Sequence, residues 1–157
     1  MINKTIISTP LGNIGIVTDS AVQAVVGIKY NASEDEFNIK PADITAETAA
    51  LQLMEYFAGK RRKFELPLLL KGTPFQKSVW TAILNIPYGT TATYSEIALA
   101  VGVPKAARAV GNANSNNPIP IIIPCHRVIA SNGIGGYTPV ISIKKALLQL
   151  ENIKFRM

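Results

Sequence analysis

The chain has 157 residues, about the length of one ordinary domain or of two small domains that share an interface. Hydrophobic residues make up 48% of it and charged residues 17%, so it has ample apolar material for a core and is not expected to be disordered. Its longest apolar run falls short of the roughly 18–20 residues of a membrane span. The first residues lack the apolar stretch of a secretory signal. We therefore expect neither a membrane span nor a signal peptide.

Positive charge is concentrated in the second half of the chain. Residues 1–70 contain 7 Lys and Arg against 8 Asp and Glu, whereas residues 71–157 contain 9 against 2. The two halves therefore carry net charges of −1 and +7, which sum to the formal net charge of +6. Two interpretations are open: a merely basic surface, or a C-terminal domain that binds a polyanion beside a neutral N-terminal domain.

The first seventy residues are predicted to form a small sheet and a helix. Turn residues separate β-rich segments, and apolar residues then recur at a helical spacing. The predicted strands are Lys4–Ser8, Gly15–Asp19 and Ala21–Ile28, and the predicted helix is Thr45–Phe57. The segment Leu66–Leu70 then leads into a second domain.

Two capping signals open helices in the second half. Thr73 stands before Pro74 and is followed three residues later by Gln76, and Thr93 with Glu96 repeats that spacing. Such pairs exchange hydrogen bonds between side chain and backbone at the first turn of a helix. Each pair therefore predicts the amino terminus of a helix.

A pair of short helices lies at the centre of this half. The helix that opens at Thr93 is predicted to end at Gly102, and a tight turn leads into a second helix, Lys105–Val110. Two short helices joined in this way fit a helix-turn-helix. A last amphipathic helix is predicted over Ser142–Leu150.

The second helix of the pair has small residues and two cations on its exposed side. Small side chains let a helix approach another molecule closely, although close packing inside the protein would use them equally well. The basic charge favours nucleic acid, bound by shape or through the minor groove rather than by sequence. The candidate DNA-binding residues on this helix are Lys105, Ala106, Ala107 and Arg108. Asn112, Asn114 and Asn116 follow and are expected to mark the end of the helix.

The only cysteine and the only histidine of the chain are adjacent, after an apolar, proline-rich, strand-like run. A lone cysteine is usually a buried small hydrophobe, and a lone histidine is usually structural. Here the neighbouring His126 and Arg127 favour a thiolate nucleophile, because the pKa of a thiol falls beside a base or a cation. Side chains of adjacent residues rarely face each other, so we expect a water molecule to relay the proton between Cys125 and His126.

An imidazole that acts as a base needs a carboxylate to orient it. The basic half offers only Glu96 and Glu151. Glu96 is engaged in a capping signal, which leaves Glu151 as the better candidate. One cysteine and one histidine form no internal disulfide and no Cys-based zinc site, so we expect a reducing, cytoplasmic setting, no metal and no cofactor.

Residues 124–128, Pro-Cys-His-Arg-Val, resemble the active-site signature of the O6-alkylguanine–DNA alkyltransferases, a family of direct-reversal DNA repair proteins. The resemblance runs from about Gly72 to Glu151 and includes several motifs in the order of the family. These motifs are Pro87–Gly89, Thr93–Ala98, Pro104–Gly111, Asn117–Pro118, Ile121–Ile129, Gly135–Tyr137 and Lys145–Glu151. Residues 1–70 match only in general layout.

The resemblance implies an α+β fold with two domains. Residues 1–71 would form a small N-terminal β-sheet plus helix in a ribonuclease-H-like layout. Residues 72–157 would form a mostly helical C-terminal domain with a helix-turn-helix, which binds DNA and accepts the alkyl group. The implied partner is double-stranded DNA containing O6-alkylguanine, with O4-alkylthymine as a second candidate lesion, and the protein would act as a monomer.

The resemblance also implies roles for particular residues. Cys125 would accept the alkyl group, His126 would deprotonate Cys125 through a water molecule, and Glu151 would orient His126. Tyr94 would help to protonate the leaving guanine at N3 and would lie near a phosphate. Asn117 would support the turn that links the DNA-binding helix to the active-site strand.

The remaining roles concern DNA and the base pocket. Arg108 would enter the duplex through the minor groove and fill the gap left by a flipped nucleotide. The other DNA-binding candidates are Tyr94, Lys105, Ala106, Ala107 and Arg127, and the pocket candidates are Pro120, Val128, Tyr137 and Thr138. Thr138–Ile141 departs from the glycine-rich stretch usual in the family, and Pro139 stiffens that loop. We expect this departure to affect bulky adducts rather than the nucleophile.

Three other classes of protein were weighed against this interpretation. A non-catalytic protein that recognises alkylated DNA would lack the cysteine that is present here. Cys-His hydrolases place the two residues far apart in sequence. A plain transcription regulator would have no use for the segment 124–128.

Overall fold

The computed structural model describes residues 1–135 and 141–155, and the chain divides into two compact units, Met1–Leu70 and Lys71–Met157. The expected α+β class is confirmed by a small antiparallel sheet and five α-helices within the described residues. None of the helices described there has the length and apolar character needed to cross a membrane.

The N-terminal unit is built on a three-stranded antiparallel sheet in the order β1-β2-β3. The strands are β1 (Ile2–Thr9), β2 (Gly12–Asp19) and β3 (Ala24–Tyr30). The first two pair without interruption, from Ile2 opposite Asp19 to Thr9 opposite Gly12. The third strand starts three residues later than predicted, because residues 20–23 form a turn in which Gln23 takes a φ of 51°.

Helix α1 (Ile44–Phe57) follows the sheet and is tied to it by its N-cap. The Asp43 carboxylate accepts a hydrogen bond from the backbone N–H of Ala46 at 2.7 Å. Its second oxygen accepts from the side chains of Asn3 and Thr18, which lie on β1 and β2. One carboxylate therefore both starts the helix and fixes it against the sheet.

The described residues of the C-terminal unit form four helices and a short parallel strand pair. The helices are α2 (Pro74–Leu84), α3 (Tyr94–Ala100), α4 (Ala107–Ser115) and α5 (Ile141–Leu150), and the strands are β4 (Ala92–Thr93) and β5 (Val128–Ile129). Both predicted capping boxes are confirmed, at Thr73 for α2 and at Thr93 for α3. The buried indole of Trp80 on α2 donates to the carbonyl of Ala113 on α4 at 2.8 Å, which fixes these two helices together.

Two predictions for this unit are wrong. Helix α4 begins at Ala107 rather than Lys105 and continues to Ser115, so Asn112 and Asn114 lie inside it instead of ending it. The run before Cys125 is not a strand: Pro118, Pro120 and Pro124 supply no backbone N–H for a ladder, and the chain turns there before a single 3-10 turn over Cys125–Arg127.

Candidate active site

A tight loop carries the cysteine out of helix α4. Asn117 closes this loop with both ends of its amide: its oxygen accepts from the N–H of Ile119 at 2.9 Å, and its nitrogen donates to the carbonyl of Ile123 at 2.8 Å. The N–H of Cys125 then donates to the carbonyl of Ile123 at 2.7 Å. The path of the backbone into the cysteine is therefore set by one asparagine side chain.

The same loop contains a strained residue. Ile121 is 1% exposed and has a φ of 73°, a left-handed conformation that costs a β-branched residue about 1–2 kcal/mol. Three residues separate it from the cysteine. Strain of this kind persists only where the surroundings impose it, and here the buried isoleucines of the loop and the Asn117 bonds hold the conformation.

Cys125, His126 and Arg127 form the 3-10 turn, and all three are buried. The imidazole Nε2 of His126 lies 2.6 Å from Oε2 of Glu151, and neither side chain is exposed to solvent. Glu151 directly follows α5, so the carboxylate lies 25 residues after the imidazole in the sequence. The structure thus brings together the three residues that the sequence pattern singled out for the nucleophile, the base and the orienting acid.

Burial lowers the pKa of His126 below its ordinary value, because desolvation disfavours the imidazolium. The hydrogen bond and the charge of Glu151 act in the opposite direction, whereas the charges of Arg127 and Lys144 lower the pKa further. The imidazole is therefore neutral near pH 7. Its Nε2–H donates to Glu151, which leaves the lone pair of Nδ1 free to accept a proton.

Glu151 also binds Arg127, which corrects the expectation that this arginine contacts DNA. The guanidinium donates through Nε to Oε1 at 2.8 Å and through Nη2 to Oε2 at 3.1 Å, and its Nη1 donates to the carbonyl of Ile86 at 2.8 Å. It lies 5.6 Å from the centre of the Tyr88 ring. With 6% of its surface exposed, Arg127 is a buried partner of the carboxylate and not part of an open surface.

Helix α5 carries a further buried residue, Lys144, that the sequence analysis did not single out. Lys144 is fully buried, and its ammonium donates to the carbonyl of Val128 at 2.7 Å. Burial lowers the pKa of Lys144 to about 8, and the charge of Cys125 opposes that shift. The ammonium is therefore mostly charged at pH 7 and stabilises a thiolate at Cys125.

A signal for this lysine does exist in the sequence. Lys144, Leu147, Leu148 and Glu151 follow the i, i+3, i+4, i+7 spacing of one helix face, and all four are buried. Two ionisable residues on the apolar stripe of a helix indicate a buried polar site rather than a solvated surface.

Tyr94, the first residue of α3, is half-buried and lies against α4. Its ring would contact a Cβ added at Gly111 at 3.8 Å, and its hydroxyl would lie 3.0 Å from a Cβ added at Gly135. Gly135 also has a φ of 77°. A Cβ at Gly111 would make only an ordinary van der Waals contact with the ring, whereas one at Gly135 would crowd the hydroxyl, so Gly135 is the glycine that this approach requires.

The cationic residues proposed for DNA are exposed, as an interface requires. Arg108, in the first turn of α4, and Lys105, in the turn before it, are exposed, while Ala106 and Ala107 are half-buried. Lys105 and Ala106 precede the helix rather than forming its first turn.

The predicted pocket residues fall into two groups. Pro120 and Val128 are buried beside the cysteine segment. Tyr137, Thr138 and the proline after them lie outside the described residues. Of the predicted pocket residues, the structure therefore describes Pro120 and Val128.

The geometry defines a class of protein: a buried thiol supplied with a neutral base and a nearby ammonium, within a basic helical unit. A model of the family described as 6-O-methylguanine DNA methyltransferase, DNA binding domain, matches residues 74–153. The chain belongs to this family.

Relatives of known name extend the similarity beyond that domain. A methylated-DNA–protein-cysteine methyltransferase from Methanosarcina acetivorans is 46% identical over 154 residues, which cover 93% of this chain and 96% of the relative. The crystal structure of the Mycobacterium tuberculosis O6-methylguanine methyltransferase is similar with a TM-score of 0.84 and 41% identity, covering 96% of this chain and 93% of that one. The structure of Mycobacterium tuberculosis OGT in complex with DNA has a TM-score of 0.83 at 41% identity, over 95% and 92% of the two chains.

Replacing Arg127 tests whether it is a structural partner of Glu151. Arg127→Met leaves a buried carboxylate without its bidentate partner, so we expect the free energy of unfolding to fall by about 3 kcal/mol or more. Urea unfolding followed by circular dichroism measures this, with the exposed Arg108→Met as the control that stays near wild type. Unchanged stability together with weaker DNA binding would restore the original expectation for Arg127.

Replacing Lys144 tests the effect of the ammonium on the thiol. Lys144→Met removes the positive charge, so we expect Cys125 to react with iodoacetamide about tenfold more slowly at pH 7, which corresponds to a thiol pKa higher by about one unit. Because Lys144 itself loses its proton above about pH 8, the difference from wild type should shrink as the pH rises past that value. Lys145→Met is the matched control on the same helix, and equal slowing by both variants would contradict the assignment.

Proposed function

We propose that this chain repairs DNA by direct reversal, as a methylated-DNA–protein-cysteine methyltransferase that transfers the alkyl group of O6-alkylguanine to Cys125. The observation that carries the proposal is the buried cysteine beside a neutral imidazole held by Glu151 at 2.6 Å. Membership of the family, the names of the relatives and the DNA-bound structure of one relative support it.

The reaction is a displacement at carbon. The thiolate sulfur attacks the alkyl carbon, a carbon–sulfur bond forms, and the bond from that carbon to O6 breaks with its electron pair remaining on the guanine. Guanine is a poor leaving group unless it gains a proton, and we propose the hydroxyl of Tyr94 as the donor to N3. The thioether product is stable, and none of the described residues offers a route back to the thiol, so each molecule acts once.

The thiol proton leaves through His126. We propose that a water molecule accepts it from Sγ and passes a proton to Nδ1, which is buried and has no partner among the described residues. The resulting imidazolium is stabilised by the Glu151 carboxylate through Nε2. Lys144 supplies a second positive charge to the thiolate without exchanging a proton in this step. Asn117 acts on the same site by holding the loop before the cysteine.

The DNA interface we propose is a helix-turn-helix formed by α3 and α4. The C-terminal half carries a net charge of +7, and Lys105 and Arg108 are its exposed cations at this place. The reacting atom lies inside the base stack, so the nucleotide must be extruded at a cost of roughly a few kcal/mol. An arginine that fills the vacated space offsets part of that cost, and Arg108 is the candidate.

The base pocket, the layout of the N-terminal unit, the oligomeric state and the cellular setting are also proposals. Backbone groups of Cys125 and Val128, with Pro120, would line the extruded base, and Tyr137 and Thr138, which lie outside the described residues, stay candidates for the same pocket. The N-terminal unit, with its sheet and one helix, is compatible with a ribonuclease-H-like layout. We propose that the protein is a monomer and that it acts in a reducing cytoplasm, because the thiol must stay reduced. Its substrate would be DNA that contains O6-alkylguanine, and O4-alkylthymine is the second lesion to assay.

Transfer of a labelled methyl group tests the proposed function directly. Wild-type protein incubated with duplex DNA carrying labelled O6-methylguanine should acquire at most one label per molecule, located on Cys125 by peptide mass. Cys125→Ser should acquire none while keeping its DNA affinity, because the cations of α4 are unchanged. Label on the Cys125→Ser protein would refute the assignment of the acceptor.

Arg108→Ala separates base extrusion from simple phosphate binding. If Arg108 fills the vacated stack, its loss should lower the single-turnover rate on saturating duplex DNA by about tenfold or more, an effect of roughly 1.4 kcal/mol or more on the barrier. Reaction with the free base O6-benzylguanine, where nothing is extruded, should change far less. Lys105→Ala is the matched control for charge. A normal saturated rate with a salt slope smaller by about one unit would identify Arg108 as a phosphate contact only.

A further inference from the structure

Asn114 is a polar residue at a core position of α4. The buried residues of this helix are Val110, Ala113 and Asn114, and the spacing of four from Val110 to Asn114 places the asparagine on the apolar face. Asn114 is 6% exposed. Its helix propensity is poor and its burial costs free energy unless both ends of the amide are paired, so its presence there calls for a specific contact.

One end of the amide reaches the active cysteine. Nδ2 of Asn114 donates to the carbonyl oxygen of Cys125 at 3.4 Å. This carbonyl belongs to the peptide bond between the nucleophile and the base. Asn114 therefore lies against the backbone that joins Cys125 to His126, on the side supplied by α4.

The other end of the amide has no protein partner. Among the residues that the structure describes between 71 and 155, the buried side-chain polar atoms without a hydrogen bond are Oδ1 of Asn114 and Nδ1 of His126. Nδ1 belongs to His126 itself, and Oδ1 belongs to the amide that donates to the Cys125 carbonyl. Buried polar atoms in native proteins are paired with protein or with ordered water, and a buried water typically makes about three hydrogen bonds.

We propose that Asn114 is a positioning residue for the proton relay: its Nδ2 holds the carbonyl of Cys125, and its Oδ1 accepts a hydrogen bond from the water molecule that links Cys125 to His126. This inference rests on the proposed function and deepens it. The water then accepts from Sγ–H, donates one proton to Nδ1 and donates the other to Oδ1. Without Oδ1 it has two partners and can rotate away from the thiol.

The proton balance of the step is simple. The Sγ–H bond breaks and its proton joins the water, while the water proton that faces Nδ1 joins the imidazole. The products are a thiolate and an imidazolium, and the water is regenerated with its second proton still donated to Asn114. The asparagine neither gains nor loses a proton, so it acts only through the position of the water.

The charged groups that face this site come from several elements. His126 and Arg127 belong to the 3-10 turn, and Lys144 and Glu151 come from α5 and the residue after it. The buried side chains of α2, which also packs against the turn, are Val79, Trp80 and Ile83, and they carry no charge. Removing the Asn114 amide changes none of these groups, so a shift in thiol ionisation would report the relay itself.

The test is the rate of Cys125 alkylation by iodoacetamide as a function of pH. Asn114→Leu keeps the branched shape of the side chain and removes both polar atoms, and the exposed Asn112→Leu on the same helix is the control. For Asn114→Leu we expect the rate of alkylation to rise at a pH about one unit higher than in wild type, so the rate at pH 7 should be about tenfold lower. At high pH the rates of the two proteins should converge. Asn112→Leu should follow the wild-type profile.

A second comparison distinguishes a relay from a structural effect. In a His126→Gln background the relay is already broken, so adding Asn114→Leu should cause little further loss. Losses that multiply, a rate lowered equally at every pH, or an unchanged profile would each overturn the proposal. If circular dichroism shows that Asn114→Leu does not fold, Asn114→Ala should give a smaller shift in the same direction.

The alkylation profile and the labelled transfer assay can fail separately. Wild-type protein that accepts no methyl group from DNA, with the Asn114 shift intact, would refute the proposed function and leave the positioning role. Normal transfer with no Asn114 shift would refute the positioning role alone.

Discussion

The buried carboxylate of Glu151 is the interaction on which the C-terminal unit depends. It receives the imidazole of His126, the guanidinium of Arg127 and the backbone N–H of Gly89 at 3.1 Å. These donors come from the 3-10 turn and from the segment between α2 and β4, while the carboxylate itself follows α5. One side chain therefore links three stretches of chain that are far apart in sequence.

A fully buried carboxylate is costly unless its oxygens are well paired, and here the pairing also sets the chemistry. The bond to Nε2 fixes which imidazole nitrogen carries the proton, so the nitrogen left for the thiol proton is Nδ1. Burial lowers the pKa of His126, the Glu151 carboxylate raises it, and the charge of Arg127 offsets part of that rise. Because the base remains neutral near pH 7, it can receive a proton when the thiol ionises. The stability of the unit and the reactivity of the cysteine thus depend on the same charges.

Local signals made much of the fold predictable from sequence. The capping boxes at Thr73 and Thr93 depend on residues three apart, and the structure has helices at both places. The apolar spacing in residues 45–57 likewise predicts α1 to within one residue. Of the two carboxylates in the second half of the chain, the sequence also favoured Glu151 as the one that orients His126, because Glu96 belongs to a capping box. In the structure Glu96 accepts from the N–H of Thr93 at 2.9 Å.

What the sequence did not reveal depends on tertiary partners. Arg127 was among the predicted DNA-binding residues, but it is buried and donates to Ile86 and Glu151, which are distant in sequence. Asparagines usually end helices, yet α4 continues through Asn114 because that amide meets the Cys125 carbonyl. The sequence analysis did not single out Lys144, which is buried on α5 and donates to the carbonyl of Val128. In each case contacts with other segments of the chain, at the site itself, override the local preference.

The most direct test of this account is the protonation state of the single histidine, observed by nitrogen NMR on protein labelled at His126. The account predicts, at pH 7, a neutral ring with the proton on Nε2 and a bare Nδ1, and a titration midpoint below the ordinary histidine value of about 6.5. A ring protonated on both nitrogens at pH 7, or a proton found on Nδ1, would contradict it.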